Sequence, residues 1–214
     1  MSKTSSPLLA PLVETFFCQR LQGQRQVSPH TLGSYRDALR LLLAFVQQRT
    51  GRAPCDQTLA DWDAATILLF LDYLEKERGC QARTRNLRLA ALRAFMHYVA
   101  QQAPEALAVA NGVLAIPMKR FERRLVSPLS EPELEAILQT TDQTTESGQR
   151  DHLLLAFLYY TGARISEALQ VRHQDIQWGP PSTVSFQGKG RKYGKVVVME
   201  RCSKNTLQTQ EARN

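Results

Sequence analysis

The 214-residue chain has no apolar run long enough to cross the roughly 30 Å of a bilayer core, which excludes a transmembrane helix from the sequence pattern. Residues 1–20 show no charged start followed by an uninterrupted apolar core, so no secretory signal is expected. Cysteine is sparse: Cys18, Cys55, Cys80 and Cys202 lie far apart with no paired spacing. A disulfide framework and a zinc site are therefore not expected, and reduced thiols in a cytoplasmic protein are. Histidine is equally scarce (His30, His97, His152 and His173), without metal-ligand spacing. No metal and no cofactor are expected. Repeats and low-complexity tracts are also lacking, and a hydrophobic share of 43% with 22% charged residues is globular composition, not that of a disordered chain.

What is plentiful is basic charge. Lys plus Arg exceeds Asp plus Glu by 27 to 20, a net +7, and arginine heavily outnumbers lysine. Arginine's planar fork pairs bidentately with phosphate, whereas lysine is a point charge. Residues 1–50 hold six bases against two acids. Residues 101–150 hold five against seven, yet four of those five lie in one stretch, Lys119-Arg120-Phe121-Glu122-Arg123-Arg124. A polyanion is the partner such a distribution suggests, although any one cluster also reads as a solvated face.

The first half has the periodicity of helices. Leu8, Leu12, Phe16 and Phe17 mark one from Leu8 to Leu21. Ser28-Pro29 is a capping hydroxyl followed by proline, the start of a second with Leu32, Tyr35, Leu39, Leu42, Leu43 and Val46 on one face. Asp63 caps a third, Ala64 to Arg78, stopped by Gly79. The fourth, about Arg83 to Gln101, is read with Leu87, Ala91, Ala94, Phe95 and Tyr98 inward, and Pro104 opens a short fifth. Four or five helices with short connections predict an all-α domain over residues 1–116. Residues 117–128, basic and bounded by Pro117 and Pro128, read as a linker.

A second domain is predicted over residues 129–200. Ser130 and Glu133 fit a capping box for a helix from Glu131 to Thr140. A Leu-rich helix, Arg150 to Tyr160, is apolar on nearly every side and expected to be deeply buried. Gly162 breaks it, and a short helix follows from Ile165 to Val171. Thr183-Val184-Ser185-Phe186 and Lys195-Val196-Val197-Val198-Met199 are β-type runs around Gly188-Lys189-Gly190-Arg191-Lys192-Tyr193-Gly194, a hairpin with three bases in its turn. Arg201 to Asn214 is polar, without period, and reads as a disordered tail. Few structured residues remain to cover the Leu-rich helix, so the first domain is expected to fold alone and residues 129–214 to pack loosely and be cut first.

Two places have the makings of phosphate chemistry. At Thr161-Gly162-Ala163-Arg164-Ile165-Ser166-Glu167 a helix begins beside an arginine, and the amides and dipole of a helix start attract anions. Glu167, three residues on, can hold the guanidinium; a purely structural Arg–Glu pair is the competing reading. The hairpin turn combines Lys189, Arg191 and Lys192 with glycines that allow close backbone approach, or is simply a solvated turn.

Thr161 to Leu169, then Arg172-His173-Gln174-Asp175-Ile176, then Gly188-Lys189-Gly190-Arg191-Lys192, resemble the tyrosine recombinases: phage integrases, Xer recombinases and integron integrases. Ser28-Pro29-His30-Thr31-Leu32-Gly33-Ser34-Tyr35 and Thr84 to Phe95 are similar to the two signature helices of that family's SAM-like core-binding domain, and Leu129 to Leu134 to the opening of its catalytic domain. The resemblance implies a mainly α fold with a small β-hairpin, a SAM-like helical domain followed by a partial α/β catalytic domain. It implies a double-stranded DNA partner, a recombination half-site. It implies metal-free cleavage in which a tyrosine forms a 3′-phosphotyrosyl link. By resemblance Arg164 clamps the scissile phosphate, Glu167 supports it, and Lys189 protonates the leaving 5′-oxygen. Fixed cations and a proton donor are what a more highly charged phosphorus centre requires.

The family pattern continues with a His-x-x-Arg motif and a tyrosine nucleophile. All four histidines precede the hairpin, and no tyrosine follows Tyr193. The expectation is a truncated, cleavage-incompetent and monomeric chain, alternatively a non-catalytic binding module or a competitor at half-sites. Contacts with DNA are expected from Arg83, Arg85 and Arg88 on the fourth helix, with Arg85 and Arg88 sharing a face away from Leu87. Further contacts are expected from Lys119, Arg120, Arg123 and Arg124 in the linker, and from Arg191 and Lys192.

Overall fold

A computed structural model describes residues 7–122, 126–179, 181–187 and 193–197. The chain divides into two compact units, Met1–Arg124 and Leu125–Asn214.

The first unit is helical. Helix α1 (Leu9–Thr15) passes directly into a π-helical stretch, Phe16–Gln24, that carries the first helix past its expected end. Helix α2 (Pro29–Thr50) begins as its sequence dictates: the Ser28 hydroxyl accepts from the Thr31 N–H at 3.3 Å, and proline occupies the first turn, where no N–H is needed. It stops at Gly51, whose φ of 72° suits glycine. Asp63 accepts from the Thr66 N–H at 2.8 Å to cap α3 (Ala64–Lys76), and Gly79 (φ 63°) turns the chain toward α4 (Ala82–Gln102). A 3-10 turn at Pro104–Ala106 leads into α5 (Leu107–Leu114).

These helices enclose one continuous core. Phe16 packs edge-on against Phe95 (centroids 5.4 Å apart), and Phe95 likewise against Trp62 (5.7 Å). Leu39, Leu42, Ile67, Phe70, Leu71, Leu74, Leu89, Leu92 and Val99 are almost wholly buried around them. One polar side chain is sealed within: Gln57, 0% exposed, donates from Nε2 to the Leu43 carbonyl (3.0 Å) and accepts from the Trp62 indole N–H (3.2 Å). Its amide thereby satisfies the buried Trp62 N–H and adds a second bond to the Leu43 carbonyl of α2.

On α4 the expected Ala91, Phe95 and Tyr98 are buried, but the inward stripe also takes in residues the sequence reading left out and excludes Leu87. Arg85, Leu89, Leu92, Met96 and Val99 face the core, while Leu87 is 59% exposed. Arg85 is therefore turned inward instead of sharing an outer face with Arg88.

The second unit comprises α6 (Glu131–Gln139), α7 (Glu146–Thr161), α8 (Ile165–Ala168) and an antiparallel sheet. Its strands β1 (Ile176–Gln177), β2 (Thr183–Gln187) and β3 (Tyr193–Val197) lie in that order. Val184 pairs with Ile176 on one side and Val196 on the other. The two-residue β1 adds a third strand to the expected hairpin. At α6 the Ser130 N–H and hydroxyl both donate to the Glu133 carboxylate, at 2.8 and 2.7 Å. Thr145 caps α7 by accepting from the Gly148 N–H, so this helix starts four residues before its expected start at Arg150. The α7 helix is not deeply buried: Ala156 is its one buried residue among those described, and Tyr159 is 49% exposed. Ala156 and Val184 centre a small cluster with Leu138, Phe157, Tyr160 and Phe186 packed around them. The short helix α8 ends at Ala168, three residues before the expected Val171. The expected tail, Arg201 to Asn214, lies outside the described residues.

Two substitutions test these interiors. Gln57→Leu strands the buried Trp62 N–H, and is expected to cost on the order of 1–3 kcal/mol of unfolding free energy in urea titrations. A loss below about 0.5 kcal/mol, the scale of a neutral surface change, would contradict this account of Gln57. Gly148→Ala would set a Cβ 1.9 Å from the Asp142 carbonyl oxygen, so the turn before α7 must open. Faster proteolysis confined to the second unit is the expected result, and an unchanged digestion pattern would refute it.

Candidate active-site arginine and basic surface

Helix α7 ends at Gly162, whose φ of 62° reverses the chain so that Arg164 stands at the start of α8. Before the turn, Thr161 donates its hydroxyl to the Phe157 carbonyl (2.6 Å) and accepts from the Ala163 N–H (3.2 Å), fixing the reversal. Glu167 then reaches back one turn. One carboxylate oxygen accepts from the Arg164 backbone N–H at 2.8 Å, the other from its guanidinium at 2.6 Å. The Glu167 side chain is 9% exposed and the Arg164 side chain 71%. The arrangement presents a tethered cation: the acid is buried and fully engaged, while most of the guanidinium faces outward. A fork held at one nitrogen keeps its remaining donors for a phosphate.

The sheet stands next in the chain. Lys195 donates to the Gln177 side chain at 2.9 Å. The turn bases Lys189, Arg191 and Lys192 lie outside the described residues, as do Arg123 and Arg124. Of the histidines, His152 has its Nδ1 3.0 Å from the Thr141 hydroxyl and 3.2 Å from the Leu138 carbonyl, joining α7 to the end of α6. Among the described residues no cluster of His, Cys, Asp and Glu could hold a metal ion, and no helix is long and apolar enough to cross a membrane.

In the first unit, Arg83 and Arg120 are exposed and line one groove with Lys119. Arg88 is half-buried and donates toward the Cys80 sulfur at 3.4 Å. Lys119 is tied to Glu75 at 2.8 Å, so part of its charge is already answered. Arg85, expected to reach DNA, is 8% exposed with its Nε 3.7 Å from Glu75. Its place in the apolar stripe removes it from the outward set. Sequence reading missed a second basic cleft, about 490 Å³, lined by Arg20, Arg25, Arg93 and His97 with no carboxylate. Only Arg93 and His97, four apart on α4, were within reach of a helical pattern; Arg20 and Arg25 join them through the fold.

Comparison with known proteins defines the class. Residues 15–103 match the phage integrase N-terminal SAM-like domain, and residues 128–211 match the phage integrase family. The chain belongs to this family, the tyrosine recombinases. It is 45% identical over 203 residues to the integrase/recombinase y4rC of Sinorhizobium fredii, covering 95% of this chain and 58% of that protein. With the integrase/recombinase y4rD of the same organism it shares 43% over 186 residues, 86% of this chain and 66% of that protein. Tyrosine recombinase XerC of Bacillus licheniformis is 30% identical over 178 residues, 83% of this chain and 55% of that one. The chain thus spans roughly half to two-thirds of the length of these relatives. Among solved structures, the XerH site-specific recombinase bound to palindromic difH substrate shares the fold, with a TM-score of 0.64 at 21% identity over 89% of this chain and 55% of that one. The Tn1549 transposon integrase in complex with transposon right end DNA does so at 0.65 and 15%, over 94% and 65%.

The tether carries a pH signature. The Arg164 N–H, then its guanidinium, hold the Glu167 carboxyl below its ordinary value of 4.5, against an opposing effect of burial. A carboxyl lowered in the folded state contributes stability above its unfolded value, and that contribution fades as pH falls through the folded value. The Glu167 carboxyl carbon, followed by NMR, is expected to titrate below 4.5, with the Arg164 guanidinium freed only in that acid range. A midpoint at or above 4.5 would contradict it.

Proposed function

We propose that this chain is a DNA-binding component of site-specific recombination that engages a duplex half-site. In this reading the first unit contacts the duplex backbone through Arg83, Arg88, Arg120 and the cleft around Arg93, with Arg123 and Arg124 following the strand. Lys119 contributes secondarily because Glu75 shares its charge, and Arg85 supports the others from inside. In the second unit Arg164 grips the scissile phosphate. Arg191 and Lys192 add phosphate contacts, and Lys189 is the proton donor to the leaving 5′-oxygen. The observation that carries the reading is the Arg164–Glu167 pair, an exposed guanidinium held by a buried carboxylate in a family whose relatives are named integrases and recombinases. Support for the duplex comes from the two structural neighbours, each determined with DNA.

The 214 residues supply phosphate-binding cations but no His-x-x-Arg after the hairpin and no tyrosine beyond Tyr193. Alone they bind as a monomer without cleaving, and would compete with a complete recombinase for a half-site.

The test is a half-site duplex with a suicide nick, titrated at several salt concentrations. Affinity is expected to fall steeply as salt rises, by about tenfold or more between 50 and 200 mM, because each phosphate contact releases counterions. No covalent protein–DNA adduct is expected on denaturing gels. Salt-independent affinity would overturn the clamp, and an adduct would overturn the non-cleaving reading. Arg164→Ala should leave folding intact while weakening binding to the nicked phosphate.

A further inference from the structure

Residues 117–121 do not leave the first unit freely. They run beside α4, and Asn86 holds them at two points. The Asn86 Nδ2 donates to the Lys119 carbonyl at 2.7 Å, and the Lys119 N–H donates back to Oδ1 at 2.9 Å. A side-chain amide here imitates a neighbouring strand, across 33 positions of sequence. The same Oδ1 accepts from the Arg85 guanidinium at 3.2 Å. Glu75 closes the circuit: one oxygen accepts from Lys119 Nζ at 2.8 Å, and the other lies 3.7 Å from Arg85 Nε. Thus α3, α4 and the strap are tied by four side chains. Beside them a groove of about 780 Å³ brings Arg83 of α4 together with Arg120 of the strap.

We propose that Asn86 is a positioning residue for DNA binding. It fixes the strap so that Arg120 shares a groove with Arg83 before any duplex arrives, an inference that rests on the DNA-binding reading above. Without the clamp, the strap would sample many conformations and would have to be ordered on binding, and that ordering entropy is charged against affinity. With it, the two guanidiniums form a preset pair. Asn86 need not touch DNA for this; it acts through Arg120.

The experiment uses the full 214-residue chain and two readouts. Brief trypsin digestion with mass spectrometry follows cleavage at the Arg120–Phe121 bond. Fluorescence anisotropy follows binding to a mixed-sequence duplex of about three helical turns. Asn86→Ala is expected to speed the cut by about tenfold, as local opening becomes easier. It is expected to weaken duplex binding by about threefold to tenfold, the scale of lost preorganisation. Arg120→Ala should weaken the original chain more than it weakens the Asn86→Ala chain, because an unpinned guanidinium has less to lose. Should Asn86→Ala lower the thermal midpoint of the whole unit, Lys119→Pro removes the clamped N–H from the strap side, with Lys119→Ala as its charge control. An unchanged cutting rate, or equal Arg120→Ala losses in both backgrounds, overturns the proposal. Failure of the unsubstituted chain to bind the duplex instead overturns the DNA-binding reading itself, while the cutting rates still decide whether the clamp exists.

Discussion

The rotation of α4 about its own axis is the constraint on which the first unit depends. Leu89, Leu92, Phe95, Met96 and Val99 are each 0% exposed, and the Phe95 ring is wedged between Phe16 and Trp62. With that stripe seated, no other azimuth is open to the helix, since turning it by one residue would put several large side chains into water at about 1.5–3 kcal/mol each. Position 85 lies on the same stripe, one turn before Leu89, so an arginine there must go inside. A charge in that setting needs a partner, and Glu75 of α3 supplies it. Everything outward then follows: Leu87 is exposed, and Arg83, Asn86 and Arg93 come to the side along which residues 117–121 run.

Much of this architecture was legible wherever the decisive interaction is local. Ser28 with Pro29, Asp63 with Thr66, Ser130 with Glu133 and Gly162 with Arg164 and Glu167 each span only a few residues, and each does what its sequence spacing says. On α4 the expected Ala91, Phe95 and Tyr98 are buried, and the misplaced residues are Leu87 and Arg85, because Leu87 keeps helical spacing with Ala91 and Ala94 and so suggests a face of its own. Only the partners across the core choose between that face and its neighbour. Asn86 and Glu75 were illegible for a different reason: their meaning comes from Lys119, 33 and 44 residues away. Strand β1 was missed because two residues carry no period; its pairing with β2 defines it.

The candidate active site shows the same division of labour on a smaller scale. A short turn, a glycine and a buried acid aim one guanidinium without help from distant parts of the chain. Glu167 contributes by restricting the motion of Arg164, since a carboxylate engaged through both oxygens leaves a flexible arginine few orientations. The basic surface of the first unit, by contrast, is assembled from helix, strap and π-helical stretch, and depends on the core beneath it.

The two units differ in what closes them. One has an aromatic and aliphatic interior continuous from Leu9 to Ile116; the other gathers its described apolar residues around Ala156 and Val184. A molecule so divided has no reason to melt as a single cooperative body. Its calorimetric trace is expected to superpose two transitions of unequal enthalpy, and a van't Hoff treatment of the whole curve would then return a value belonging to neither. Free-energy changes from substitutions in α4 and in α7 therefore belong to separate equilibria, each requiring its own spectroscopic reporter: Trp62 for the first and Trp178 for the second.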